Sequence, residues 1–263
     1  MLHDKLHKTY LLIFSVLVFG WNISLMSGQS AAVSKTHCQT SFPSDNRVAW
    51  TCVQVTGEKT LTALGPYLWD VLRFNRIDRM HALRGAYLKV PVMPSDMVGF
   101  TPMPTTLAQA KEYPHYILVD RAEEFLGAYE FGALKFSLPV ATGRHDSTPA
   151  GIFHILARDR WHRSSPYTIS GTDIPYPMFW GMKFSTAGSG RGLWLHSRDM
   201  PGYPASHGCI GLYDEEMQAR FYKYPPDPHL MDSKRIYQWV FGENAETPQM
   251  YPKGLDGILV EIK

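Results

Sequence analysis

The stretch from Tyr203 to Glu216 reads YPASHGCIGLYDEE and sets a serine, a histidine, a glycine and a cysteine at consecutive positions, Ser206 to Cys209. Cys209 can be a nucleophile, a metal ligand, half of a disulfide or a small buried apolar residue. A thiol is a strong nucleophile only as the thiolate, which needs a base or a positive charge close by. Two histidines are candidates for that base. His207 lies two residues away, but on a turn its direction is not legible. His196 ends the apolar pattern GLWLHS, and the nine residues between His196 and Ser206 are rich in Pro and Gly, so they can fold back and bring Cys209 alongside. Gly208 lets a substrate carbonyl approach the backbone, and N–H groups around Gly208 and Cys209 can form an oxyanion hole. A zinc site drawn from His196, His207 and Cys209 fits less well, because the spacing matches no familiar zinc pattern. A papain-like enzyme has its Cys before its His; here His196 comes first.

The chain has 263 residues, 44% hydrophobic and 19% charged, with a formal charge of +2. These are globular proportions, and without a Lys/Arg block no nucleic-acid partner is expected. The N-terminus differs. A basic start, MLHDKLHKT, precedes an uncharged run from Tyr10 to Met26 and then the small residues SGQSAA. This is the order of a secretory signal, so residues 1–32 read as a signal peptide cut after Ser30 or Ala32, or as a retained membrane anchor. Either way the remainder is exported, to the periplasm or cell envelope. In an oxidising compartment three cysteines imply one pair and one free thiol. Cys38 and Cys52 are close together and far from Cys209. A disulfide between them contributes ~3 kcal/mol on the chain-entropy argument, and leaves Cys209 free, either because it is used or because it is buried.

Two regions of pattern follow. Residues 48–93 read as strand, helix, helix, strand: VAWTCVQV, then Leu61, Leu64, Leu68, Val71 and Leu72 at helical spacing with a break at Gly65-Pro66, then GAYLKVPV. Residues 94–114 contain four prolines and little periodicity, and read as a linker draped over the next domain. From residue 115 the period is two. HYILVD, a hairpin turning at Glu130–Ala133 with Phe136, Leu138 and Val140 on one face, GIFHILAR, YPMFWGMKF, RGLWLHS and GILVEIK read as strands. The fold class is therefore mainly β, with one or two helices: DEEMQARFYKY capped by Asp214, and a short one in MDSKRIYQWVFG inside an insertion from Pro225 to Pro252. Trp180 and Trp194 can line a binding groove or sit in the core.

Two resemblances attach to these residues. VTGEKTL after the first strand, Asn75 after the helical face, and GAYLKVP make residues 48–93 resemble the LysM module, which implies a small βααβ unit that binds the glycan strands of peptidoglycan. LHS followed by SHGCIGL resembles the L,D-transpeptidase (YkuD-type) catalytic domain. The strands from HYILVD onward, the pairing of ATG with TPAG, and the final GILVEIK extend that resemblance over residues 115–263. It implies a β-sandwich-like domain that needs no metal or cofactor. Cys209 would be the acylated nucleophile, His196 its base and later acid, and the carbonyl of Ser197 the group that orients the imidazole. Ser206, His207 and Gly208 would line the oxyanion and substrate side. The donor would be a peptidoglycan stem tetrapeptide that loses its terminal D-alanine, and an amine of a second stem would resolve the thioester as a 3→3 cross-link. With water as acceptor the same site would be an L,D-carboxypeptidase or other peptidoglycan hydrolase; a catalytically silent wall-binding protein is the third reading. The chain departs from the pattern in three places. The loop before Ser206 is short and implies less lid, Ser197 stands where glycine is common, and Gly211 stands where Arg or Asn is usual.

Overall fold

Apolar side chains recurring every second residue, punctuated by Gly and Pro, give short strands here, and these sort into two main sheets. The computed structural model describes residues 36–242, 245 and 257–263. The apolar N-terminal segment read as a signal or anchor lies outside the described residues. Among those described, no helix is long and apolar enough to cross a membrane.

The N-terminal part runs α1 (Thr36–Gln39), β1 (Trp50–Gln54), α2 (Glu58–Thr62), α3 (Leu68–Phe74), α4 (Arg79–Ala82) and β2 (Tyr87–Pro91). β1 and β2 pair antiparallel, with Trp50 opposite Pro91 and Gln54 opposite Tyr87. The helical pattern breaks at Gly65, whose φ of +57° suits a residue without a Cβ. Leu61, Val71, Leu72 and Leu88 are buried together, with Leu64 and Leu68 packed against them. Asn75 is buried and spent on the backbone. Its Nδ2 donates to the carbonyls of Val71 (2.8 Å) and Lys89 (2.9 Å), and its Oδ1 accepts from Lys89 N (2.8 Å), so it ties the end of α3 to β2. A Cys38–Cys52 disulfide joins α1 to β1.

The segment 94–114 is packed along its length. Met97, Met103, Leu107 and Ala110 are buried. Leu107 N donates to Gly132 O (2.8 Å) and Leu134 N to Thr105 O (3.0 Å), which adds this segment to the edge of the following hairpin.

The remaining strands are β3 (Tyr116–Asp120), β4 (Phe125–Glu130), β5 (Ala133–Pro139), β6 (Gly151–His154), β7 (Ala157–Asp159), β8 (Arg163–Thr168), β9 (Pro175–Pro177), β10 (Gly181–Thr186), β11 (Gly192–Arg198), β12 (Ile210–Tyr213) and β13 (Leu259–Ile262), with α5 (Glu215–Tyr222) and α6 (Asp232–Phe241) between the last two. One sheet has the order β5-β4-β3-β13-β6, the other β12-β11-β10-β7, and β8-β9 is a separate ribbon. The β4–β5 turn carries Phe131 and Gly132 at φ +47° and +79°, the pair of positive values a tight hairpin needs. The main core lies between the sheets, from Ile117, Leu126 and Leu138 on one side to Met182, Phe184 and Leu195 on the other, closed by Met217 of α5 and Ile236 of α6. Asp214 caps α5, its carboxylate accepting from Met217 N at 2.8 Å.

Two runs read as single strands are corrected. GIFHILAR divides, because β6 pairs with β13 in the first sheet and β7 with β10 in the second. YPMFWGMKF divides at Trp180, where a φ of +56° turns the chain out of the strand region. The β8–β9 ribbon has no signal in the sequence pattern, since RSSPYT lacks the apolar alternation that marks a half-buried strand.

The N-terminal part and the sheets belong to one unit, Val33–Lys263, and charged side chains join them. Arg79 makes two 2.9 Å bonds to Glu215, both buried. Arg73 reaches Asp232 at 2.7 and 2.6 Å. Arg76 is fully buried against Asp45 (3.0 Å) and the Glu123 carbonyl (3.1 Å), with Phe42 stacked on its guanidinium. Asp78 connects the N-terminal part to the loop between His196 and Ser206. Its N–H donates to Met200 O (2.9 Å) and its carboxylate accepts from Met200 N (2.6 Å), so that short loop is gripped through both backbone polar groups of one residue.

Candidate active site

β11 and β12 run parallel, with Leu195 opposite Ile210 and His196 opposite Gly211. Side chains two apart on a strand share a face, so Trp194, His196 and Arg198 point the same way. Cys209, two residues before Gly211, comes to that face at the entry to β12. All four line one cleft of about 570 Å³, whose opposite wall includes Arg163 to Tyr167 of β8. The β8–β9 ribbon thus borders the same cleft as Cys209 and His196.

His196 is 4% exposed. Its Nδ1–H donates to the carbonyl of Ser197 at 2.6 Å. A carbonyl only accepts, so this bond fixes the tautomer and leaves Nε2 as the basic nitrogen. Burial pushes its pKa down to about 3, the bond to Ser197 opposes this, and the charge of Arg198 adds to it. Burial pushes the Cys209 thiol up, while a hydrogen bond from the Trp194 backbone and the charges of Arg198 and Arg191 pull it down. Both shifts favour the uncharged forms, so the cleft holds a neutral thiol and a neutral imidazole at neutral pH. This carries a prediction: ¹⁵N NMR of His196 will report the Nδ1–H tautomer, uncharged from pH 8 down to about pH 4. Protonation near the ordinary histidine value would mean the ring is not buried as described.

The turn bearing Cys209 is held from below. Ser206 Oγ donates to Cys209 O (2.5 Å) and accepts from Gly208 N (3.0 Å). The Gly208 N–H, expected to face an oxyanion, is thus occupied inside the turn. Thr142 O accepts from the N–H groups of Ala205 (2.9 Å) and Ser206 (3.0 Å). Thr148 Oγ1 accepts from Gly143 N (2.7 Å) and donates to Gly208 O (3.1 Å). A Cβ on Gly143 would lie 2.2 Å from Ser147 Oγ and 3.0 Å from Gly208 N, and Gly208 itself has φ +122°. Through these contacts the ATG and TPAG segments form the bed of the turn that bears Cys209. Behind Thr142 lies buried Glu124, which accepts from Thr142 N (2.7 Å) and from its hydroxyl, and whose carboxyl burial raises to about 7.

The other named residues divide. Ser197 is fully buried; its carbonyl serves His196, and its Oγ has no hydrogen-bond partner among the described residues. His207 stacks on Tyr167, ring centroids 4.6 Å apart, touches Arg144, and lines the cleft that also holds Cys209. Among the described residues no group of three or more His, Cys, Asp or Glu side chains could hold a metal ion. Trp194 is both core and cleft wall, stacked on His162 at 3.9 Å, whereas Trp180 belongs to the main core. The sequence reading missed Glu124, Thr142, Thr148, Tyr167 and Arg198; only the ATG and TPAG segments carried a signal for any of them.

Residues 114–240 match the family described as YkuD, the L,D-transpeptidase catalytic domain. That match covers 127 of the chain's 263 residues. Among solved structures, the chain is similar to an L,D-transpeptidase from Xylanimonas cellulosilytica, at 16% identity and TM-score 0.44, over 82% of this chain and 98% of that one. It is similar to L,D-transpeptidases from Mycobacterium smegmatis (13%, TM-score 0.36) and Mycobacterium tuberculosis (15%, TM-score 0.35), each over 57% of this chain. It spans 59% and 58% of the length of those two mycobacterial chains. No curated protein matches the chain in sequence.

Proposed function

We propose that the protein is an exported peptidoglycan L,D-transpeptidase that works through a thioester on Cys209. The observation that carries this reading is the His196–Ser197 hydrogen bond of 2.6 Å in the cleft that also holds Cys209. It presents a neutral Nε2 where a thiol proton can be taken. As Sγ bonds to the carbonyl carbon of the third stem residue, its proton passes to Nε2. The bond to the terminal D-alanine then breaks, and Nε2–H returns the proton to the departing amine. An amine of a second stem attacks the thioester, gives its proton to Nε2, and releases Cys209 as the thiol. The tetrahedral oxygen faces the turn of Ser206, His207 and Gly208, and the Cys209 N–H is assigned to it. Residues 48–93 serve as a LysM-like module for glycan strands, joined through 94–114 to the catalytic domain of 115–263. The reaction takes place at the cell wall, in the periplasm or envelope.

The test is product analysis. Purified protein incubated with tetrapeptide muropeptides is expected to yield 3→3 dimers and free D-alanine, and Cys209→Ala to yield neither. Tripeptides without dimers would make water the acceptor and the protein an L,D-carboxypeptidase. No turnover by the wild type would overturn the enzyme reading.

A further inference from the structure

Gly211 leaves a space that Arg198 fills. A Cβ built on Gly211 would lie 2.4 Å from Cδ of Arg198 and 2.7 Å from its Cβ. The aliphatic stem of Arg198 therefore crosses over Gly211, and any side chain at 211 would compete with it. The Arg198 Nε donates to Asp199 O (3.3 Å) and Nη2 to Ala205 O (3.2 Å). Both acceptors are carbonyls, and the Asp199 carboxylate is turned to the Tyr176 hydroxyl and, at 3.7 Å, to His81. The charge of Arg198 is felt at both Cys209 and His196. The cleft lining contains Arg163, Lys183, Arg191 and Arg198 but no Asp or Glu, so the site favours an anion.

We propose that Arg198 is a specificity-determining residue that binds a carboxylate of the donor peptide, and that position 211 is glycine because the arginine enters from the neighbouring strand. This rests on the L,D-transpeptidase reading above. A guanidinium suits the role because it offers a fork of N–H donors to a planar carboxylate. Two donor carboxylates have that chemistry: the one on the terminal D-alanine, and the one on the side chain of a diamino diacid at the third position.

The experiment measures kcat and KM of the full exported chain on three tetrapeptides: the free acid with a diamino diacid, its C-terminal amide, and the free acid with lysine at the third position. Wild type is expected to prefer the first. Arg198→Ala is expected to lower kcat/KM on it by roughly 10- to 100-fold, chiefly through KM, and to lower the substrate lacking the recognised carboxylate far less, so that the preference collapses. Loss of preference over the amide identifies the terminal carboxylate, and loss of preference over the lysine peptide the side-chain one. Arg198→Ser combined with Gly211→Arg is expected to restore the preference, since the guanidinium then enters from β12. Should Arg198→Ala fail to fold, Arg198→Lys is expected to show a smaller loss of the same preference. Equal loss on all three substrates, or no preference in wild type, would overturn the proposal and leave the enzyme reading intact. No turnover of any of the three by wild type would remove both.

Discussion

Replacing His196 with Gln is expected to slow acylation of Cys209 by about 10²- to 10⁴-fold, the usual worth of a positioned general base. The protonation states of the two partners set this size. Burial raises the thiol, so little thiolate exists at neutral pH and attack depends on removing the proton during the step. His196 is held to about 3, so its Nε2 is free to accept that proton at every pH above about 4. The wild-type acylation rate is therefore expected to be flat from about pH 5 to pH 8 and to fall only below about pH 4, as the ring protonates. His196→Gln removes the base. Its residual rate is expected to rise about tenfold per pH unit through neutrality, following the thiolate fraction toward the raised thiol pKa. Stopped-flow acylation across this range, by a β-lactam that leaves a stable adduct, reads both profiles. A wild-type profile with a step near the ordinary histidine value would contradict the neutral, buried imidazole.

The second large effect concerns stability. Arg79 and Glu215 are both buried and bonded twice at 2.9 Å, one from α4 and the other from α5. Glu215 also accepts from His229 N (2.6 Å) and Leu230 N (3.1 Å). Glu215→Ala leaves the buried Arg79 guanidinium with Asp227 as its remaining partner (2.9 Å to the carboxylate, 2.6 Å to the carbonyl) and two N–H groups without their acceptor, and is expected to cost about 3 kcal/mol in urea unfolding. The double variant Arg79→Met with Glu215→Leu leaves no buried charge unpaired, since Asp227 is exposed, and is expected to cost less than the sum of the two single changes. Because this pair, Arg73–Asp232 and the Asp78–Met200 bonds all cross between the N-terminal part and the sheets, wild type is expected to unfold in one transition. Two separate transitions by tryptophan fluorescence and far-UV circular dichroism would show that the parts are independent.

Much of the fold could be read from the chain because local pattern dictated it. The hairpin around Phe131, the Asp214 cap and the Gly65-Pro66 break all follow from turn chemistry and periodicity acting over a few residues. What escaped reading depends on contacts between distant segments. Nothing in GIFHILAR announces that Ile155 and Leu156 carry the chain from one sheet to the other. RSSPYT is a strand only because Pro175–Pro177 lies beside it. The site divides the same way. Cys209, His196 and the Ser197 carbonyl stand out because nucleophile chemistry restricts residue type. Thr142 and Thr148 are common residues whose role exists only once two loops meet beneath Gly208. Gly211 reads in the sequence as a missing polar group, whereas in the fold Arg198, thirteen residues upstream in the chain, lies across it. Asp78 likewise belongs to the catalytic region through its hold on Met200, although by sequence it lies in the N-terminal module.

The central claim is that Cys209 is the acylated atom of the reaction. Intact-mass measurement of the exported protein after incubation with a carbapenem, followed by peptide mapping, tests it most directly. One equivalent of adduct on the peptide containing Cys209, absent from Cys209→Ala and strongly slowed in His196→Gln, is the predicted result. An unmodified wild-type protein, or an adduct that persists in Cys209→Ala, would contradict it.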